Sequence, residues 1–198
     1  MEHVSTVIRS GYFHLRNIAL ARRNLTKAAT KSLTQALVLT RLDYCNSLLL
    51  GISDELLNKL QVLQNSAARL VCQTSKREHM TPVLHELHWL PVRARIDFKV
   101  LHLVFRCLQG TAPLYLCDLI QSYMPTRCLR SADQNLLTEQ SFRSSTFGGR
   151  AFSRAAPRLW NRFFKSSNID HEDSFEFKRF LKTGLFRHYY ESSQGERI

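Results

Sequence analysis

The sequence contains no Asp-Asp pair, no Cys-x-x-Cys pair, no P-loop and no dinucleotide-binding fingerprint. Each absence removes a class of chemistry. A two-metal polymerase centre needs clustered carboxylates to hold its ions, nucleotide-cradling folds show glycine-rich loops, and zinc or dithiol sites need closely spaced cysteines. The five cysteines, Cys45, Cys72, Cys107, Cys117 and Cys128, are odd in number and widely spread. They read as reduced thiols packed in the core of an intracellular protein, nuclear or cytoplasmic. No apolar run reaches the roughly 18 residues that span a bilayer, and no signal-peptide region opens the chain, so no membrane partner is expected. Gly and Pro together contribute only 7 and 5 of 198 residues, which disfavours both a disordered and a fibrous chain.

Positive charge, by contrast, is plentiful. Lys and Arg number 28 against 16 Asp and Glu, for a formal charge of +12. Such a chain attracts polyanions, which puts nucleic acid first among partners and an anionic membrane surface second. The excess is concentrated. Residues 127–165 carry Arg127, Arg130, Arg143, Arg150, Arg154, Arg158, Arg162 and Lys165 against Asp133 and Glu139 only.

Apolar residues recur at helical spacing through most of the chain. Leu56, Leu60, Leu63, Ala67 and Leu70 form one stripe, and Ile96, Val100, Leu103/Val104 and Cys107/Leu108 form another. Ser53 followed by Asp54 and Glu55 marks one helix start, Thr81-Pro82 a second, and Leu90-Pro91 a break before a third that Gly110 closes. Upstream, Val4, Ile8, Tyr12 or Phe13, Leu15 and Ile18 give a loosely helical first segment. Thr26 is placed to cap a long helix through Leu49, with Ala29, Leu33, Ala36/Leu37 and Thr40 expected inward, and Gly51 to end it. Pro113 starts a shorter helix over LYLCDLIQSY, and Ser174 to Tyr190 reads as the last helix, with Glu172-Asp173 as its cap. Leu136 to Phe147 alternates roughly and suits a hairpin or extended loop.

The expected fold is mainly α: a helical bundle over residues 1–123, followed by a basic, partly irregular region over 124–198 with two further helices. Arg150, Arg154, Arg158 and Arg162 recur every fourth residue, a cationic stripe on a helix whose other face carries Phe152, Ala155/Ala156, Leu159 and Phe163. Pro157 inside that segment is expected to kink or split it. Like charges at this spacing repel unless anions neutralise them, which makes the row a candidate polyanion site. The competing reading pairs these arginines with Glu172, Asp173 and Glu176. Lys76 and Arg77, in a polar loop, are candidates for phosphate contact or a solvated surface. Arg93 and Arg95 open a helix, where the dipole disfavours cations. They call for a partner, either Glu86 or Asp97 within the fold or a phosphate outside it. His79, His85 and His88 include an H-x-x-H step but lack a third ligand of matching spacing, and Trp89 is expected to pack beneath the helix that follows.

The strings LDYCNSLL, LQNSAARLV, TPVLHELHWLPVRARIDFKVL, LRSADQ and GRAFSRAAPRLWN, in this order, resemble the C-terminal part of non-LTR (LINE-type) retrotransposon reverse transcriptases, downstream of the polymerase palm. The resemblance runs from about Ser10 to Phe186 and implies a thumb-like region with a C-terminal extension that grips RNA and DNA. It implies no catalytic activity in this chain, since the palm and endonuclease of such enzymes are not represented, and no cofactor. A palm supplied in trans is an implied partner, and the start at Met1 suggests a truncated element copy. In such relatives the Trp-Asn step often leads into a short turn with Pro, where this chain reads Arg162-Phe163-Phe164. The alternative function is a helical protein-interaction module that does not bind nucleic acid.

Overall fold

A computed structural model describes residues 2–124, 136–140, 148–164 and 173–191. The chain is mainly helical, and it divides into two compact units: residues 1–96 with 185–198, and residues 97–184. The boundaries fall inside helices, because they follow contacts, whereas the division at 123/124 followed composition.

The first unit begins with α1 (Glu2–Ala21), which packs on α4 (Asp54–Cys72). At Gly11 an added Cβ would lie 2.5 Å from Leu63 Cδ2, so a larger residue there would force the buried Leu63 side chain to shift. Between them run α2 (Lys27–Thr34), a π turn (Gln35–Leu39), α3 (Thr40–Asp43) and a 3₁₀ turn (Asn46–Leu49). Thr26 caps α2 as expected, its hydroxyl accepting from the Ala29 amide at 3.1 Å. The long helix is nevertheless interrupted, first by the π turn and then by Cys45 in the left-handed region. Its inward face is also different. Thr30, Thr34, Val38, Leu39 and Leu42 are buried, whereas Leu33, Ala36, Leu37 and Thr40 are exposed. On this face the Thr30 hydroxyl returns its hydrogen bond to its own helix, donating to the Thr26 carbonyl at 2.8 Å, whereas Thr34 Oγ1 is buried without a partner among the described residues.

Helix α4 starts where Ser53-Asp54-Glu55 placed it, and its inward stripe is Leu57, Leu60, Leu63, Gln64, Ala67, Ala68 and Val71. Leu56 and Leu70 flank this stripe at half burial. Burying each such leucine contributes about 1.5–3 kcal/mol. Gln64, fully buried, donates to the Leu90 carbonyl at 2.8 Å. Gln61 Oε1 accepts from the Val92 amide at 2.9 Å. These two glutamines fasten α4 to the Leu90-Pro91-Val92 segment, where α6 (Val92–Leu108) begins after α5 (Met80–Glu86). Gln61 thereby satisfies an amide that a helix start leaves without an internal partner. Trp89 is buried, as expected, and its carbonyl accepts from the Tyr190 hydroxyl.

In the second unit, α6 continues through the buried Val100, Leu101, Val104 and Phe105. Helix α7 (Leu114–Cys117) is a single turn, shorter than LYLCDLIQSY, because its side chains find little to cover: Leu114 and Tyr115 are 78% and 68% exposed. An isolated antiparallel bridge joins Ser122 to Leu137, in keeping with extended chain near Leu136. A 3₁₀ turn (Gly148–Arg150) leads into α8 (Phe152–Phe164), and α9 (Ser174–Glu191) follows, passing into the first unit at Leu185. Asp173 caps α9, accepting from the Phe175 amide at 3.2 Å. The core here is aromatic. Phe105 stacks on Phe177 with centroids 4.0 Å apart, and Trp160 lies against both Phe177 and Phe164. Among the described residues, no helix is long and apolar enough to cross a membrane.

Candidate functional site

Helix α8 runs unbroken through Pro157, so the expected split does not occur. The ring is buried in the unit's interior, and that packing offsets the amide hydrogen bond a proline removes. Nor is there a turn after Trp160-Asn161, since the helix extends to Phe164. The inward face is one residue out of step with expectation: Ser153, Ala156, Pro157, Trp160 and Phe164 are buried with Leu159 at the edge, while Phe152, Ala155 and Phe163 are half-buried. Trp160, 1% exposed, sets this register by inserting among the phenylalanines.

That register decides where the arginines go. A step of four residues turns a helix about 40° past a full turn, so the row drifts steadily away from the buried face. Arg154 sits on the flank at half burial, and Arg158 and Arg162 reach the exposed side, with Arg150 exposed in the turn before the helix. Among the described residues none of the four forms an ion pair, and neither Asp173 nor Glu176 serves as their counterion. Glu172, Arg127 and Arg130 lie outside the described residues. Arg154 Nη1 is buried and has no hydrogen-bond partner among the described residues, a state folded proteins seldom retain.

Asn161, next to this face, clamps the extended strand segment. Its Oδ1 accepts from the Leu137 amide and its Nδ2 donates to the Leu137 carbonyl, both at 2.9 Å, and Nδ2 reaches Glu139 Oε1 at 3.1 Å. The side-chain amide thus pairs with a backbone as a neighbouring strand would.

Elsewhere in the same unit the field is also positive. His102 stacks on Phe98, with its Nε2 3.3 Å from Ser174 Oγ. Burial lowers its pKa to about 4 from an ordinary 6.5, with further lowering from Lys178, Arg106 and Lys99. The Cys107 thiol, pushed by burial to about 11, is held protonated and unreactive.

Three arginines of the first unit are held differently. Arg95 is held by Asp43 through Nη1, at 2.8 and 2.6 Å to the two oxygens, and donates from Nε to the Leu90 carbonyl. Arg93 pairs with Asp54. Acids from preceding helices thus hold these two arginines, and Glu86, one of the partners the sequence suggested, pairs instead with Lys27, whose ammonium lowers its pKa. Arg22 reaches the last carbonyls of α4, with Nε 3.3 Å from Leu70 O. Lys76 and Arg77 are exposed in the loop after α4, and the Lys76 carbonyl accepts from Arg69. His85 and His88 lie against Phe186, with centroids 4.9 and 5.7 Å away. Among the described residues no group of three or more His, Cys, Asp or Glu is arranged to hold a metal.

Sequence reading missed the Gln61, Gln64 and Asn161 clamps, since a polar residue at a buried helical position looks like any solvated one. Comparison with protein-family profiles, curated proteins and solved structures returns no match to this chain, so its function is argued from these residues.

Proposed function

We propose that this chain is a non-catalytic nucleic-acid-binding module that contacts the phosphate backbone through the outward face of α8. The observation that carries this reading is the row Arg150, Arg158 and Arg162, exposed and without counterions among the described residues, while Arg93 and Arg95 are paired internally. Polyanions neutralise such a row and release counterions on binding. The resemblance to the thumb region of LINE-type reverse transcriptases supports the same function, with RNA and DNA both candidate partners, and the Lys76 and Arg77 loop is a second contact under this reading. Among the described residues no group of three or more His, Cys, Asp or Glu is arranged to hold a metal on which an enzymatic reading would rest.

A second reading has its own observation. Leu114, Tyr115 and Met124 are 78%, 68% and 85% exposed, and a protein partner, such as a polymerase palm in trans, would cover such a surface.

The test is fluorescence anisotropy with a labelled RNA hairpin at about 50 and 200 mM salt. The chain should bind, with affinity falling steeply as salt rises, and Arg150→Glu/Arg158→Glu/Arg162→Glu should abolish most of the binding. Binding that is absent, or indifferent to these substitutions, overturns the reading and leaves the protein-interaction module.

A further inference from the structure

Helix α1 leaves an aromatic surface uncovered beside a groove. Val4, Gly11, Leu15 and Ile18 face inward, yet Tyr12 and Phe13 are 41% and 62% exposed. Arg9 and Arg16 flank them, both exposed and in no ion pair among the described residues. These four residues line one groove of about 700 Å³ with Ser66 and Leu70 of α4. The spacing matters. Arg9 and Arg16 are two helical turns, or about 10 Å, apart along the axis, with both aromatic rings between them. The only acidic residue in α1 is Glu2, at its far end.

We infer that this groove binds unpaired nucleobases: a base stacks on Tyr12 or Phe13 while the adjoining phosphates meet Arg9 and Arg16. Cations alternating with aromatic rings are what a single strand recognises, since every base offers a flat face and every linkage a negative charge. A duplex, whose base faces are already stacked, meets only the arginines. The flanking charge separates this surface from an ordinary apolar contact, because two cations without counterions are costly to bury against an uncharged partner. The inference rests on the nucleic-acid reading and adds a strand type and a second site to it, in the unit that does not contain α8.

The experiment compares a labelled single strand of about 12 uridines with an abasic strand of the same length and with the RNA hairpin. The full chain should bind the uridine strand at least about tenfold more tightly than the abasic one, as expected for a stacked base. Tyr12→Ala/Phe13→Ala should erase that difference and leave hairpin binding unchanged, whereas Tyr12→Phe/Phe13→Tyr should keep it. Arg9→Gln/Arg16→Gln should weaken binding to both strands and flatten its salt dependence. Equal binding of uridine and abasic strands by the unaltered chain overturns the inference without needing any variant. So does hairpin binding that survives while the aromatic substitutions leave the uridine strand unaffected; the α8 reading then stands alone. Failure to bind all three probes removes both proposals. Sedimentation showing a dimer that these substitutions dissociate, with oligonucleotide binding intact, would assign the face to a second copy of the chain.

Discussion

Arg95 and Arg158 are the same residue type, each on a helix of a basic chain, yet the fold uses the two in opposite ways. In the first unit Arg95 has 16% of its side chain exposed and is held by a carboxylate and a carbonyl. In the second Arg158 is exposed, with no acidic partner within reach among the described residues. Net charge alone therefore overstates the positive field available to a ligand, because some of it is neutralised inside the fold. Cations left without partners are the better guide to a binding face. The cores differ in parallel: largely aliphatic stripes in one unit, stacked phenylalanines around a tryptophan in the other.

Three substitutions would break or sharpen this contrast. Trp160→Ala should have the largest effect, costing about 3–5 kcal/mol in chemical denaturation, because a ring 1% exposed is removed from the aromatic core and the arginine face loses its register. Arg95→Ala should cost about 1–2 kcal/mol, since the Leu90 carbonyl and Asp43 both lose a donor. Arg158→Ala, by contrast, should change stability by no more than about 0.5 kcal/mol, the usual range for a surface site, and should weaken nucleic-acid binding. Equal stability losses from the two arginines would erase the distinction. A fourth substitution concerns pH. His102 is held neutral in the folded chain by burial and nearby cations, with a pKa of about 4 against an ordinary 6.5. The unfolded chain therefore takes up this proton first as pH falls. His102 should leave stability untouched above about pH 6.5 and reduce it progressively between about 6.5 and 4. Thermal melting across that window should show a shallower decline in His102→Gln.

Helix existence was largely legible in the sequence because the signals are local. Ser53-Asp54-Glu55, Thr26, Leu90-Pro91 and Gly110 each act through a turn or cap formed by a few neighbouring residues. The inward faces were less legible, because they are set by distant partners. Thr30 and Thr34 turn inward where the pattern favoured Leu33 and Leu37, and Trp160 rotates α8 by about one residue, roughly 100°. The arginine row was visible as a spacing. Which arginines stay free was not, since the acids that neutralise Arg93 and Arg95 lie 39 and 52 residues away. The groove on α1 needed the structure as well: the sequence named Tyr12 and Phe13 as alternatives for an inward position, and both point outward to solvent in part.

The π turn at Gln35–Leu39 has a consequence for how the chain tolerates changes in length. Val38 and Leu39 are its buried residues, while Gln35, Ala36 and Leu37 are exposed. A π turn is how a helix absorbs one surplus residue without rotating what lies on either side of it. Deleting the exposed Leu37 should turn this stretch into ordinary helix and keep the flanking faces where they are. The same deletion in the middle of α4 would turn half the helix by about 100° and pull its leucines out of the core. One short stretch of the first unit thus carries a spare residue, and the helix beside it has none.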